Sequence, residues 1–328
     1  MNLLGIDIGG TKTSVCVGNE HGEIRAADRI SSRTSGTLDA YFFALAELCR
    51  KVLRNASLAA TDIAAVGISA PGPMDVKRGI LIAPPNNPGW RDVPIVQKVR
   101  DMLERPVYFN NDANACAVAE FVFGGHGVQN LVYLTCSTGI GGGIIANGRL
   151  IQGATDTGGE VGHQIIDVNG PVCGCGMRGC LEAYVGGRNV ADRLREKIRA
   201  GKISTSILDK AGGDYEKIDV KFLAQAAREG DSFAVKEWEE FVERMAQGIG
   251  NLIMILNPDL IILGTIAIYE GDFLMKPLHE KLAKYTWKWP REACRIIPSR
   301  LGSKIGDLGA LAVAVAGMQE APATAAAR

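Results

Sequence analysis

The sequence predicts an α/β protein built from two related halves. Short apolar runs of strand length alternate with longer segments whose apolar residues recur at helical spacing. A strand–glycine turn–strand unit occurs twice. It reads first as Leu3 to Ile8, Gly9-Gly10 and Ser14 to Gly18, then as Leu131 to Thr135, Ser137 to Gly143 and Ile144-Ile145. Such self-similarity points to an internal repeat. A chain of 328 residues, 47% of them hydrophobic, is long enough for two cores.

The elements follow in order. Leu3 to Ile8 is a buried strand that stops at the glycine pair, Ser14 to Gly18 returns, and Ile24 to Arg29 completes a meander. Leu38 to Arg54 carries a helical stripe. Ala64 to Ser69 is a strand closed by the forced turn Ala70-Pro71-Gly72-Pro73. Ile95 to Leu103 is an amphipathic helix and Val107 to Phe109 a strand. A helix of small residues runs from Asn111 to Phe123, where Asn111 or Asp112 can accept the unpaired N–H groups of the first turn. After the second repeat unit long helices dominate, including Asp231 to Asn257. Leu260 to Leu263 is a strand closed by Gly264, and Leu308 to Met318 is an Ala-rich apolar helix. Glu320 to Arg328 is expected to fray.

Composition narrows the function. Lys plus Arg and Asp plus Glu number 36 each, so the basic excess of a nucleic-acid binder is absent. The N-terminus has no basic region before its apolar run, and Asp7 interrupts that run, so no signal peptide is expected. No apolar run nears the roughly 20 residues that span a bilayer. The scattered Cys16, Cys49, Cys116 and Cys136 suit a reducing cytoplasm with buried free thiols.

Five stretches carry chemistry. Asp7-Ile8-Gly9-Gly10-Thr11-Lys12 joins a carboxylate to a turn whose N–H groups can cradle phosphate oxygens. Thr11 adds a hydroxyl, Lys12 a positive charge, and Asp7 can hold Mg²⁺ directly or through water. The turn is not a Walker loop, because the spacing differs and a strand follows it. The bland alternative is a glycine hairpin with a solvated lysine. The second turn, from Thr138 through Gly139 to Gly141 and Gly143, supports phosphate binding, since two turns can grip one phosphate chain. In Asn111-Asp112-Ala113-Asn114-Ala115, Asp112 is either part of a plain helix cap or a general base that takes a proton from a hydroxyl during phosphoryl transfer. Ala83 to Trp90 is a rigid polar loop in which Asn86 can present an amide to a polyol, or only a turn.

The fifth stretch is His163 followed by Cys173-Gly174-Cys175-Gly176-Met177-Arg178-Gly179-Cys180. One imidazole and three thiols can close a tetrahedral, structural zinc site, and the glycines let the backbone bend tightly. A disulfide would leave an odd thiol. A redox pair would have two residues between its cysteines, whereas Cys173 and Cys175 have one. A nucleic-acid zinc ribbon would show paired two-residue spacings in a basic surround. Glu160 and Glu182 bracket the cluster, so the metal would brace a loop bearing two carboxylates.

Together these motifs resemble the ROK family of sugar kinases and sugar-responsive repressors. The likeness spans most of the chain. It is carried by Asp7 to Lys12, Ala70 to Pro73, Asn86 with Pro88-Gly89-Trp90, Asn111 to Ala115, Ser137 to Gly143, Gly159-Glu160-Val161-Gly162-His163, and Cys173 to Glu182. The resemblance implies an actin-like ATPase (ribonuclease H-like) fold, with two α/β domains around a cleft. One would be residues 1–117 with a returning helix at 308–328, the other residues 118–307 with the zinc loop. It implies ATP with Mg²⁺ at Asp7, Gly9, Gly10, Thr11, Lys12, Thr138, Gly139, Gly141 and Gly264. It also implies a hexose phosphorylated at its 6-hydroxyl, with Asp112 as base. Gly72, Asn86, Asn111, Glu160, His163 and Glu182 would hold the sugar, and His163, Cys173, Cys175 and Cys180 would hold zinc.

Two departures stand out. The family usually has a glycine pair after the strand that precedes the adenosine contact, whereas here Gly264 is followed by Thr265-Ile266. Ser137 stands where many kinases of the family have glycine. Glucose is the first substrate expected. Alternatives are fructose, mannose, N-acetylglucosamine or N-acetylmannosamine, or a non-catalytic sugar sensor. A repressor is disfavoured, because no helix-turn-helix fits ahead of Asp7. A cytoplasmic homodimer or tetramer is expected from the family, with no nucleic-acid or membrane partner.

Overall fold

A computed structural model describes the chain except residues 33–36, 85, 86, 88, 202 and 326–328. The chain divides into two compact units. The first is Met1–Val128, Gly143–Gly159 and Arg300–Arg328; the second is Gln129–Gly142 and Glu160–Ser299.

The first sheet uses β1 (Asn2–Ile8), β2 (Lys12–Asn19), β3 (Ile24–Ser31), β4 (Ala65–Ala70) and β5 (Val107–Asn111), in the order β3-β2-β1-β4-β5. The meander β1-β2-β3 is antiparallel, whereas β4 lies parallel to both β1 and β5. All six residues of β4 are buried, as expected for a strand covered on both faces. One face packs Ile6, Ile68 and Val66 against α1 (Leu38–Asn55) and α2 (Ile95–Leu103), through Leu45, Val52 and Val99. The other face receives α3 (Ile305–Ala325) so closely that side chains are excluded. A Cβ at Gly67 would lie 1.9 Å from the Ala310 carbonyl oxygen. This helix starts before the expected Leu308 and runs through part of the tail that was expected to fray.

The second sheet repeats that order. Its strands are β6 (Leu131–Cys136), β7 (Ile140–Ala146), β8 (Arg149–Leu150), β9 (Leu260–Leu263) and β10 (Arg295–Pro298), arranged β8-β7-β6-β9-β10. Here too β9 is parallel to β6 and to β10. The repeat read from two glycine turns is thus a repeat of whole-sheet topology. The long helix α4 (Ser232–Leu256) is capped by Asp231, which accepts from the Ala234 N–H at 2.9 Å, and buries Trp238, Phe241, Ile249 and Ile253. It ends at Asn257, whose φ of 44° is a left-handed stop. Burial pushes the Cys49 and Cys136 thiols up to about 12, so both are inert free thiols. No described helix is long and apolar enough to cross a membrane.

Candidate functional site

In the first unit, the turn after β1 closes with the Gly9 N–H donating to the Lys12 carbonyl at 2.9 Å. A strand follows, not a helix, and the side chains of Thr11 and Lys12 are exposed. Asp7 sits at the end of β1, where the Ser69 hydroxyl donates to its Oδ1 at 3.0 Å. The backbone of Gly306 is so near that a Cβ there would lie 2.5 Å from Asp7 Oδ2. Burial pushes the Asp7 carboxyl up to about 6. The Ser69 hydrogen bond opposes this, the charges of Asp112 and Asp307 reinforce it, and Lys12 opposes it weakly. The charges of Asp112 and Asp307 thus act on the buried Asp7 carboxyl at this end of the sheet.

Asp112 opens the helix Asp112–Phe123 and is exposed. Asn111 is the cap, accepting from the Ala113 N–H at 2.9 Å and the Asn114 N–H at 3.4 Å. Asn111 is thus the cap, and the exposed Asp112 adds its own Oδ1 as an acceptor for the Ala113 N–H at 2.8 Å. Behind them Asn110 Oδ1 accepts from the Asn111 N–H and from Asn114 Nδ2, which fixes the junction. Gly72 lies beside it, with an added Cβ placed 3.6 Å from Asn111 Nδ2. Asn86 lies outside the described residues. Its neighbour Asn87 is buried with an unpaired Oδ1, and Asn114 Oδ1 is likewise buried and unpaired. An unpaired buried acceptor is costly. Both residues belonged to motifs in the sequence but carried no separate signal.

In the second unit, the phosphate-type turn is bound from below. The Gly187 N–H donates to the Ser137 carbonyl at 2.9 Å and the Arg188 N–H to the Thr138 carbonyl at 3.0 Å. The exposed side chains of Ser137 and Thr138 precede Gly139, and Gly141 lies early in β7. Glu182 reaches this turn, its Oε2 accepting from the Ile140 N–H at 2.8 Å. A side chain at Gly139 would collide, since a Cβ would lie 2.5 Å from that oxygen. A cavity of about 1100 Å³ adjoins the turn, lined by Thr138, Gly187, Lys221, Thr265 and Tyr269 among others. Gly264 packs against Tyr133, where a Cβ would lie 2.4 Å from the hydroxyl oxygen. Thr265 turns the chain with φ 40° and ψ −90°.

The His/Cys cluster assembles as the sequence predicts. His163 ends a single helical turn, Val161–His163, that follows the exposed Glu160. Cys173 and Met177 pair across a tight hairpin, with the Cys173 N–H donating to the Met177 carbonyl at 2.8 Å. Gly176 and Gly179 take φ of 92° and 72°. At Gly179 glycine is obligatory, because a Cβ would lie 1.6 Å from the Asp167 carbonyl oxygen. The donor atoms of His163, Cys173, Cys175 and Cys180 lie within 4.8 Å of one another. Cys175 and Cys180 sulfurs are 3.7 Å apart, and Cys173 sulfur is 3.7 Å from His163 Nδ1. A tetrahedral ion with Zn–S bonds of about 2.3 Å spaces its sulfurs roughly 3.8 Å apart, whereas a disulfide needs about 2.05 Å. The donor set and its spacing therefore fit zinc and do not fit a bridge.

Comparisons with known proteins give the chain's family and fold relatives. The sequence profile of the ROK family matches residues 3–316. A glucokinase of Thermotoga maritima is 34% identical over 315 residues, covering 95% of this chain and 97% of its own. The crystal structure of a ROK hexokinase from Thermus thermophilus superposes with a TM-score of 0.82 at 30% identity, covering 98% of this chain and all of that one. A ROK glucokinase from Streptomyces griseus, solved with glucose and AMPPNP, gives a TM-score of 0.77 at 30% identity over 96% of this chain and 99% of its own. The duplicated sheets are those of an actin-like ATPase fold, and with its motifs in family order the chain belongs to the ROK family.

Proposed function

We propose that the chain is an ATP-dependent sugar kinase that phosphorylates glucose at the 6-hydroxyl. The single observation that carries this is the placement of Asp112. Asn111 caps the helix, and Asp112 is exposed at its first turn, where its charge acts on the buried Asp7 carboxyl and one of its oxygens accepts from the Ala113 N–H. A carboxylate so placed can accept the hydroxyl proton as the oxygen attacks the terminal phosphorus of ATP.

The roles then divide among the residues. Gly9, Gly10, Thr11 and Lys12 bind phosphate oxygens, and so do Thr138, Gly139 and Gly141. Asp7 holds Mg²⁺, which neutralises phosphate charge when bound. Asn86, Asn111, Glu160, His163 and Glu182, with the backbone at Gly72, hydrogen-bond the sugar hydroxyls. Such a ring rejects an epimer that would leave its polar groups unpaired. His163, Cys173, Cys175 and Cys180 hold a structural zinc that fixes the loop and supplies no chemistry to the phosphate. His163 offers Nδ1 to the cluster, and its Nε2 then serves a hydroxyl. The cavity lined by Thr138, Thr265 and Tyr269 takes the adenosine end. A homodimer is supported by the exposed apolar side chains of Ile255, Trp287 and Trp289, whose segments adjoin where the Trp287 N–H meets Met254 sulfur.

The test is a coupled ADP-release assay with ATP-Mg²⁺ against glucose, mannose, fructose, N-acetylglucosamine and N-acetylmannosamine. Turnover highest with glucose is expected. Turnover with an N-acetylhexosamine alone would replace the substrate, and none with any sugar in folded, zinc-loaded protein would favour a sugar sensor.

A further inference from the structure

The first unit contains a second, unrelated cavity of about 800 Å³, within the roughly 300–1,000 Å³ of small-molecule sites. It runs along the outer edge of β5, whose residues Val107 to Asn110 form one wall. An edge strand leaves alternate N–H groups unpaired by its sheet. Four cationic side chains line the cavity, and no carboxylate does. They come from separate segments: Lys77 and Arg78 from the hairpin Met74–Leu81, Arg100 from α2, and Arg149 from β8.

Arg78 has Asp75 3.7 Å away. Among the described residues Lys77, Arg100 and Arg149 form no ion pair, and Arg100 has only a long 3.5 Å contact to Gln97. Some cations elsewhere are paired, as in Lys197–Glu237 at 2.7 Å and Arg228–Glu270 at 2.6 Å. With Asp75 as the one counter-charge paired to them among the described residues, like charges lining one groove repel one another. In a chain whose formal net charge is zero, this convergence is a local feature with its own anion preference. Guanidinium groups match the oxygens of a phosphate, and several cations together favour a dianion over a monoanion. The apolar wall, with Phe121 and Val122, suits the remainder of a small molecule.

We propose that this groove binds the phosphate group of a small phosphate monoester or of free phosphate. It is independent of the kinase assignment, since none of these cations belongs to the Asp112 or zinc sites. Isothermal titration on the full chain tests it, with glucose 6-phosphate, inorganic phosphate and citrate as separate probes. Each titration is run with and without saturating glucose plus AMPPNP, which blocks any catalytic-site binding. One equivalent of glucose 6-phosphate or phosphate should bind under both conditions, with citrate much weaker. Binding should fall about tenfold or more in Arg100→Gln/Arg149→Gln, which loses two charge-assisted contacts. Glucose binding and the melting temperature of that variant should stay at wild-type values. Tighter binding of glucose 6-phosphate than of phosphate supports a monoester as the ligand, and equal binding supports free phosphate. No saturable binding, equal binding of citrate, or unchanged binding in the double variant would overturn the proposal.

Discussion

Glu182 Oε2 accepts a hydrogen bond from the Ile140 N–H at 2.8 Å. The same carboxylate has its other oxygen 3.7 Å from Cys173 sulfur. One side chain therefore ties the His/Cys loop to the second glycine turn. Removing it should disturb both substrates. Glu182→Ala is expected to raise KM for glucose and for ATP, each by about tenfold, since a hydrogen bond to a charged group contributes roughly 1.5–3 kcal/mol. Glu182→Gln keeps an acceptor for Ile140 and should spare ATP while weakening glucose. Equal ATP KM values in wild type and Glu182→Ala would remove the tie.

Asp112 carries the chemistry in the proposed reaction. Its replacement by Asn keeps the shape and loses the base. A drop in kcat of about 10²–10⁴-fold is expected, with the melting temperature unchanged because the side chain is exposed and Asn111 provides the cap. Near-normal turnover would show that another group takes the proton.

Asp7 sets a pH limb. Its carboxyl, pushed up to about 6 by burial, must be ionised to hold Mg²⁺. Accordingly kcat/KM should fall below about pH 6, and higher Mg²⁺ should move that limb to lower pH by favouring the ionised form. The stability effect has the opposite sign. A carboxyl whose folded value is raised stabilises the fold fully below its ordinary value of 3.8, and that contribution is lost as pH rises through about 6. The full swing is on the order of 3 kcal/mol. Asp7→Asn should therefore lose activity yet raise the melting temperature of the ligand-free protein by several degrees at pH 7.5. A lower melting temperature there would contradict the burial argument.

Much of this was legible in the sequence because it is local. The two glycine turns, the cap at Asn111 and the spacing of Cys173, Cys175 and Cys180 are each set within a few residues, and the strand–turn–strand echo foretold the shared sheet order. What was not legible depends on distant segments. Glu182 is 42 residues from its partner Ile140. Asp307 acts on Asp7 only because α3 packs back onto β1 and β4, where Gly5 and Gly67 admit it. Strand β10 (Arg295–Pro298) is short, ends in proline and sits at a sheet edge, so its pattern is weak. Helix Gly187–Gly201 begins at the second residue of the pair Gly186-Gly187, and its Gly187 N–H binds the Ser137 carbonyl 50 residues earlier in the chain.

The proposed zinc site at His163, Cys173, Cys175 and Cys180 predicts coupled losses. Cys175 is the exposed member of a cluster in which Cys173 and Cys180 are buried. Cys175→Ser should lower zinc content from about one ion per chain to near zero, by elemental analysis. Glucose affinity should fall with it, because His163 is both a ligand and a sugar contact in the proposed arrangement. A zinc-free, fully active variant would mean the cluster does not position the sugar loop.

Thr265 gives the last prediction. Its φ of 40° is a conformation that suits glycine, and a β-branched residue there is a true outlier. Strain of this kind costs on the order of 1–3 kcal/mol and collects at functional walls, and Thr265 lines the cavity assigned to adenosine. Thr265→Gly should release the strain, less about 0.4–1 kcal/mol for the added freedom of the unfolded chain. A net gain of about 1 kcal/mol corresponds to a melting temperature about 2–4 °C higher. Thr265→Ala keeps the Cβ and the strain, so it should show no such gain. Because Thr265 faces the cavity and Gly264 packs on Tyr133, the ATP KM should change in the glycine variant while the glucose KM does not. If Thr265→Gly melts lower than wild type, the left-handed turn is not strained, and the threonine contributes contacts that outweigh its backbone cost.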